Sequence, residues 1–334
     1  MAKISYQEFK QKLMDPEVPD SEIAKYLTAD RKASGPFDPR IEPDPQKVEM
    51  PIEAQMDVES AIRWGNAICR WRRQQAFQNR IASGIRKPVL VSEGDSWHQF
   101  PFLIDDVIDH LNPDFLIWSL DAAGDTADNM VNRNPEYMRA LVQHKANKVK
   151  GFLFSGAGND VIGEDLLGNP VLATLVKQFQ AGKDAAWHVD KAKLANVLTQ
   201  LEKDYRKLVA TVRSDDDFKK LPIFIHGYDY AIPGGFPGDK RNPVYANQDE
   251  WLGAPLKDKG IVDLQLQRGI VRVLIDALYD MLHNVAGNSK QSFVYVVDIR
   301  GELKEGDWAD EIHATSKAFG RVAARFKNVI DQAI

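Results

Sequence analysis

The sequence predicts an α/β fold, a three-layer α/β/α sandwich with a central, mainly parallel five-stranded sheet and an N-terminal helical extension. Three observations carry that expectation. Short apolar, β-branched or aromatic runs stand at 88–92, 115–120, 150–155, 221–226 and 293–299, each bounded by turn residues. Stretches with the 3.6-residue period of an amphipathic helix separate them. Continuously apolar strands joined through helices indicate a parallel sheet buried on both faces.

The composition permits such a fold. The chain has 334 residues, of which 44% are hydrophobic and 27% charged, so it has ample core material and exceeds the usual single-domain length. A net charge of -5 gives no electrostatic reason to expect a nucleic acid partner. The single cysteine, Cys69, excludes an intramolecular disulfide framework and a cysteine-based zinc cluster. The first ten residues lack the apolar core of a signal peptide, and no run of about 18 apolar residues follows. The expected location is cytoplasmic, with leaderless export open.

Residues 1–85 read as an N-terminal helical and extended segment. Short amphipathic helices are expected at 6–13 and 21–27. Pro36 and Pro39 make the stretch from Ser34 to Arg40 an extended linker. A longer helix is expected at 57–83, with Trp64, Ile68 and Trp71 on one side and Arg63, Arg70, Arg73 and Arg80 on the other. Two readings of it stand: peripheral contact of residues 60–83 with an anionic membrane surface, or tryptophans docked on the main domain with solvated arginines.

Residues 86–334 form the second unit. Leu194, Val197, Leu198, Leu201, Tyr205, Leu208 and Val212 follow the helical period over 191–213, and further helices are expected at 262–284 and 315–332. Thr315 or Ser316 caps the last of these.

Parallel α/β sheets bind ligands at the carboxyl ends of their strands, so the residues just after each strand carry the functional argument. The first strand leads into Gly94-Asp95-Ser96-Trp97-His98. The glycine allows a tight turn, and a serine hydroxyl needs a rigid turn and a nearby base to become a nucleophile. Behind the second strand lies Ala123-Gly124-Asp125, where a glycine lets its backbone N–H approach a ligand. The third strand opens into Gly156-Ala157-Gly158-Asn159-Asp160. Its small residues clear the way for the Asn159 amide to donate to a developing oxyanion, while Asp160 suits the cap of the next helix. Asp310 precedes His313 by three residues, a spacing that lets the carboxylate hold one imidazole nitrogen and leave the other as base. Taken singly, each block also reads as an ordinary turn, cap or surface pair.

In this order, Gly94-Asp95-Ser96, Gly124, Gly158-Asn159-Asp160 and Asp310-x-x-His313 resemble the four sequence blocks of the SGNH/GDSL hydrolases, over about 86–334. The resemblance implies a flavodoxin-like sandwich with Ser96 as nucleophile, His313 as general base and Asp310 as the group that orients the imidazole. It implies an oxyanion hole made by the Ser96 N–H, the Gly124 N–H and the Asn159 side chain, and neither a metal nor an organic cofactor. Asp95 is expected to brace the turn. Two positions depart from the family: Trp97 stands where a smaller or more polar residue is frequent, and Ala314 where proline often follows the histidine.

The expected function is that of an esterase or lipase-like enzyme cleaving carboxylic esters through an acyl-enzyme, on a small-molecule, lipid or carbohydrate ester. A carbohydrate O-acetyl esterase or an O-acyltransferase is the alternative. A membrane- or partner-targeted effector module is a third reading. The long insertion from His226 past Tyr245 to Trp251 reads either as a pocket wall or lid, with Trp97, Tyr228 and Tyr230 as substrate contacts, or as an Ω-loop packed by its own aromatics.

Overall fold

A computed structural model describes residues 3–29, 41–50, 61–163, 170–241, 251–287 and 290–334. The expected linker at 34–40, the first residues of the expected helix at 57–83, the side chains of Arg63 and Trp64, and Tyr245 lie outside the described residues.

At the N-terminus, the Ser5 hydroxyl accepts the Glu8 N–H at 3.1 Å and opens helix α1 (Tyr6–Met14), which buries Phe9 and Leu13. The second expected helix is shorter than its pattern suggested. It covers Asp20–Ala24, and the chain then forms a strand, Leu27–Ala29, paired antiparallel with Ile41–Pro43. A second small pairing joins Ile4–Ser5 in parallel to Val48–Glu49. Phe9, Leu13, Ile23, Leu27, Ile41 and Val48 close around a small core that also takes in Cys69 and Phe102. Residues 3–29 and 41–50 therefore hold strands of their own, because Leu27–Ala29 meets a partner more than ten residues away that no local period reveals.

Helix α2 (Ala61–Ala82) joins this unit to the main domain. Three of its arginines have partners within the protein. Arg72 is buried and donates to Asp20 and to the carbonyls of Leu13, Asp15 and Val18. Arg73 is buried against Asp106 at 2.6 Å and Asp109 at 2.8 Å, and donates to the His98 carbonyl at 2.7 Å. Arg70 pairs with Glu136 at 2.7 Å. Buried guanidinium groups persist only when their donors are met by carboxylates and carbonyls. Arg70 and Arg73, two of the four arginines behind the membrane-surface reading of 60–83, thus have partners within the protein.

The central sheet contains β1 (Val89–Gly94), β2 (Leu116–Ser119), β3 (Val149–Ser155), β4 (Ile223–His226) and β5 (Val294–Val297), in the order β2-β1-β3-β4-β5 with every pair parallel. Every position of β1, β2 and β4 is buried, and β3 is buried from Gly151 on, as expected for strands covered on both faces, while β5 at the sheet edge buries Val294 and Val297. Helices α3 (Lys191–Arg213), α4 (Leu264–Ala286) and α5 (Ser316–Ala333) begin on the side-chain caps Asp190, Asp263 and Thr315. Right-handed crossovers from β3 to β4 and from β4 to β5 place α3 and α4 on one face. On the other face α5 lies beside the short helix Val107–Leu111, with His110 Nε2 2.7 Å from the Ser316 carbonyl. The result is the three-layer α/β/α sandwich. Among the described residues no helix is long and apolar enough to cross a membrane.

The chain leaves β1 toward β2 on one side, and from β3 onward it steps away on the other. The carboxyl ends of β1 and β3 thus flank the switch point at which open α/β sheets bind ligands. Gly94 and Ser155 stand opposite each other there.

Candidate active site

Crowding explains the glycine at the end of β1. A Cβ on Gly94 would lie 2.7 Å from His98 Nδ1 and 2.8 Å from Ser155 Cβ, so no larger residue fits. The next residue, Asp95, is buried and fastens the loop: its Oδ1 accepts the Trp97 N–H at 3.0 Å and the Ser155 hydroxyl at 2.9 Å, and its Oδ2 accepts the Tyr228 hydroxyl. Burial pushes its carboxyl above the usual range, and these donors pull it back. Ser96 is thereby held on a rigid turn.

From the other end of the chain, the loop before α5 brings Asp310 and His313 to the same place. Asp310 Oδ1 accepts the backbone N–H groups of Ile312 at 2.9 Å and His313 at 2.7 Å, which leaves Oδ2 for His313 Nδ1 at 2.8 Å. A carboxylate can only accept, so Nδ1 carries the proton and Nε2 presents a lone pair. That Nε2 lies 2.8 Å from Ser96 Oγ. Trp97 ties the two loops together. It is buried, its indole N–H donates to the Ile312 carbonyl at 3.1 Å, and its ring meets Tyr228, Trp308 and Phe319 edge-on.

The blocks after β2 and β3 are joined to each other. Asn159 Nδ2 donates to the Asp125 carbonyl at 2.6 Å, and Asp160 Oδ2 accepts the Ala127 N–H at 2.9 Å. Asp160 is not the N-cap of the next helix, as the sequence suggested. It lies inside the short helix Gly158–Ile162, whose N-cap is Ala157, and burial pushes its carboxyl up to about 6. Ala157 adopts a left-handed backbone, with φ 89°, immediately before the Gly158-Asn159 pair. Such a conformation costs a non-glycine residue about 1 kcal/mol and is held here by complete burial. Gly124, with φ 83°, has the glycine-favouring geometry as well.

Several residues of this neighbourhood give no signal in the sequence. Asn66 of α2 grips Ala123, accepting its N–H at 2.9 Å and donating to its carbonyl at 3.0 Å, and so sets the Gly124 turn from the N-terminal part of the chain. Glu311, between Asp310 and His313, is buried and accepts four backbone N–H groups, those of Gly234, Trp251, Leu252 and Gly253, at 2.6–3.0 Å. It fastens both described arms of the long insertion to the histidine loop. Asp229 likewise binds the N–H groups of Gly301 and Leu303, both at 2.6 Å.

A cavity opens beside Ser96, and Asn159, Trp97 and Tyr228 contribute to its wall. Gly124 and Tyr230 do not line it. Tyr230 instead donates to Asp276 at 2.7 Å beneath the Arg272 guanidinium, on the side of α4. The expectation that Tyr230 faces the site is thus corrected: Asp276 takes its hydroxyl and the Arg272 guanidinium covers its ring, and both residues belong to α4. Tyr228 itself is fully engaged, since its oxygen also accepts the Gly158 N–H at 2.8 Å. Among the described residues no group of three or more His, Cys, Asp or Glu side chains is placed to hold a metal ion.

One carboxyl oxygen near the site, Glu93 Oε2, is buried without a hydrogen-bond partner. Burial at the end of β1, followed by the nearby Glu136, Asp125 and Asp121, pushes the Glu93 carboxyl up to about 9. The folded protein therefore holds this proton between about pH 4.5 and 9 while the unfolded chain has lost it, so stability falls as pH rises through that window. Glu93→Gln is expected to match the parent near pH 4.5 and to exceed its stability at pH 8 on the order of 1–3 kcal/mol. Thermal denaturation from pH 4.5 to 9 checks this, and a difference that does not grow with pH contradicts it.

No protein-family model matches the sequence, and no curated protein matches it. Similar folds occur among solved structures. An acetyl xylan esterase, AlAXEase, aligns with TM-score 0.39 and 11% identity over 72% of this chain and 98% of its own. A protein of Streptococcus pneumonia, provisionally named a platelet activating factor, aligns with TM-score 0.42 and 10% identity over 84% and 100%. The Arabidopsis thaliana protein AT4G34215 aligns with TM-score 0.34 and 12% identity over 68% of this chain and 66% of its own, a little under two thirds of its length. Likeness at this level assigns no activity to the chain.

Proposed function

We propose that the chain is a serine hydrolase of the SGNH/GDSL type that cleaves carboxylic esters. One observation carries the reading: Ser96 Oγ, His313 and Asp310 form an unbroken relay of two 2.8 Å contacts at the switch point of the sheet. Ser96 Oγ attacks the ester carbonyl and gives its proton to His313 Nε2. The C–O bond to the alcohol breaks as that proton passes to the leaving oxygen. Water then attacks the acyl-enzyme, again losing a proton to His313. The Ser96–acyl bond breaks, the acid departs and the proton returns to Ser96. Asp310 holds the imidazole and stabilises its charged form. These steps call on no metal and no organic cofactor.

The negative oxygen of each tetrahedral intermediate needs donors. The Ser96 N–H and the second amide hydrogen of Asn159 are assigned to it; Gly124, expected as the third donor, does not line the cavity and is left out. The first amide hydrogen holds Asn159 to Asp125 and fixes the direction of the second. Asn159→Ala is expected to lower kcat by about 10²–10³ with little change in KM. Turnover near the parent level would remove Asn159 from the hole.

The direct test of the whole reading is a fluorophosphonate reagent, whose phosphorus captures an activated serine. The expected result is one equivalent bound per chain, located on Ser96 by peptide mass analysis, with labelling lost in His313→Ala. Labelling elsewhere, or none, would refute the assignment.

A further inference from the structure

The cavity beside Ser96 has a chemical character that the catalytic residues alone do not explain. Beyond Ser96 it extends between two helices, walled by Leu194 and Leu198 of α3 and by Val271, Leu274, Ile275 and Leu278 of α4. The polar side chains that also touch it already have partners. Asp95 is bound to Tyr228, Ser155 and Trp97, and Asp229 to Gly301 and Leu303. A carbohydrate requires converging donors and acceptors, and an unpaired hydroxyl facing such a wall is unfavourable. An alkyl chain meets it without that cost.

We infer that this cavity is the acyl subsite and that the substrate is an ester of a medium-chain fatty acid. The inference rests on the reading of Ser96 as nucleophile and goes past it to the acid released. The aliphatic wall continues along α4 from Val271 to Leu278, seven residues or about 10 Å at a rise of 1.5 Å per residue. An extended chain of roughly eight carbons, with C–C bonds of about 1.5 Å, spans that length. An acetyl group fills only the mouth beside Ser96 and leaves the leucines unused. The geometry thus favours a fatty acyl ester over an O-acetyl carbohydrate, and places no demand on the alcohol.

The test uses nitrophenyl acetate, butyrate, octanoate and palmitate with the full chain, and with Ser96→Ala, Leu274→Trp and Leu198→Trp. At about 0.8 kcal/mol per buried methylene, kcat/KM for octanoate is expected to exceed that for acetate by at least about 30-fold. Each tryptophan variant, one from either wall, is expected to lower the octanoate-to-acetate ratio at least about tenfold. Calorimetry of free octanoate against Ser96→Ala reads the same cavity without catalysis, with binding expected there and lost when Leu274→Trp or Leu198→Trp is added. Acetate cleaved as well as octanoate by a Ser96-dependent route overturns the acyl subsite and leaves the hydrolase standing. A ratio unmoved by both tryptophans, or no octanoate binding, does the same. If no ester is cleaved in a Ser96-dependent way at any chain length, the reading of Ser96 fails, whatever the calorimetry shows.

Discussion

Ser96→Ala and His313→Ala are each expected to lower kcat for an activated ester by about 10⁶, and the double variant to lose no more than either alone. The geometry gives the reason. Ser96 Oγ and His313 Nε2 lie 2.8 Å apart, so removing the base leaves a hydroxyl that cannot shed its proton, and removing the hydroxyl leaves a base with nothing to activate. Groups that act as one unit are lost together, whereas independent contacts add. Single-turnover kinetics on the three variants distinguishes the cases. Losses that multiply in the double variant, or activity that survives Ser96→Ala, would contradict a shared step. Both substitutions remove few atoms, and unchanged melting temperatures would show that the relay rather than the fold was lost.

Much of this site was legible because its parts sit where a parallel sheet must place them. Within residues 86–334 the expected strands and helices lie within about two residues of those observed, since continuous apolar runs and a 3.6-residue period are local signals. The set Gly94-Asp95-Ser96, Gly124, Gly158-Asn159, Asp310 and His313 was singled out by its resemblance, in order, to the blocks of a known hydrolase family. What escaped were contacts between distant parts of the chain. Asn66 gives no hint in sequence that it holds Ala123, 57 residues away. Arg73 of α2 reads as part of a solvated or membrane-facing stripe until Asp106 and Asp109 are seen against it. Glu311 looks like one more surface carboxylate, although it closes the long insertion. A buried charge and its partner carry no period, and only the fold brings them together.

Asp310→Asn is expected to lower kcat by about 10⁴ while leaving the protein folded and its substrate affinity little changed. The loop itself dictates this. Oδ1 of Asp310 is fixed by the N–H groups of Ile312 and His313. An asparagine must keep its carbonyl oxygen there, since its amide nitrogen cannot accept those two hydrogens. The amide NH₂ then takes the place of Oδ2 and donates toward His313 Nδ1, now 2.8 Å from an acceptor in the parent. To meet that donor the imidazole must place its lone pair on Nδ1 and its proton on Nε2, the nitrogen facing Ser96. The base is disarmed by the wrong tautomer, with every heavy atom in place. Raising the pH does not restore it, because the neutral ring is already in the unproductive form. The measurements are kcat and KM for a nitrophenyl ester between pH 6 and 9, with melting temperature as control. An activity loss of less than about tenfold would show that Asp310 serves the loop and not the imidazole.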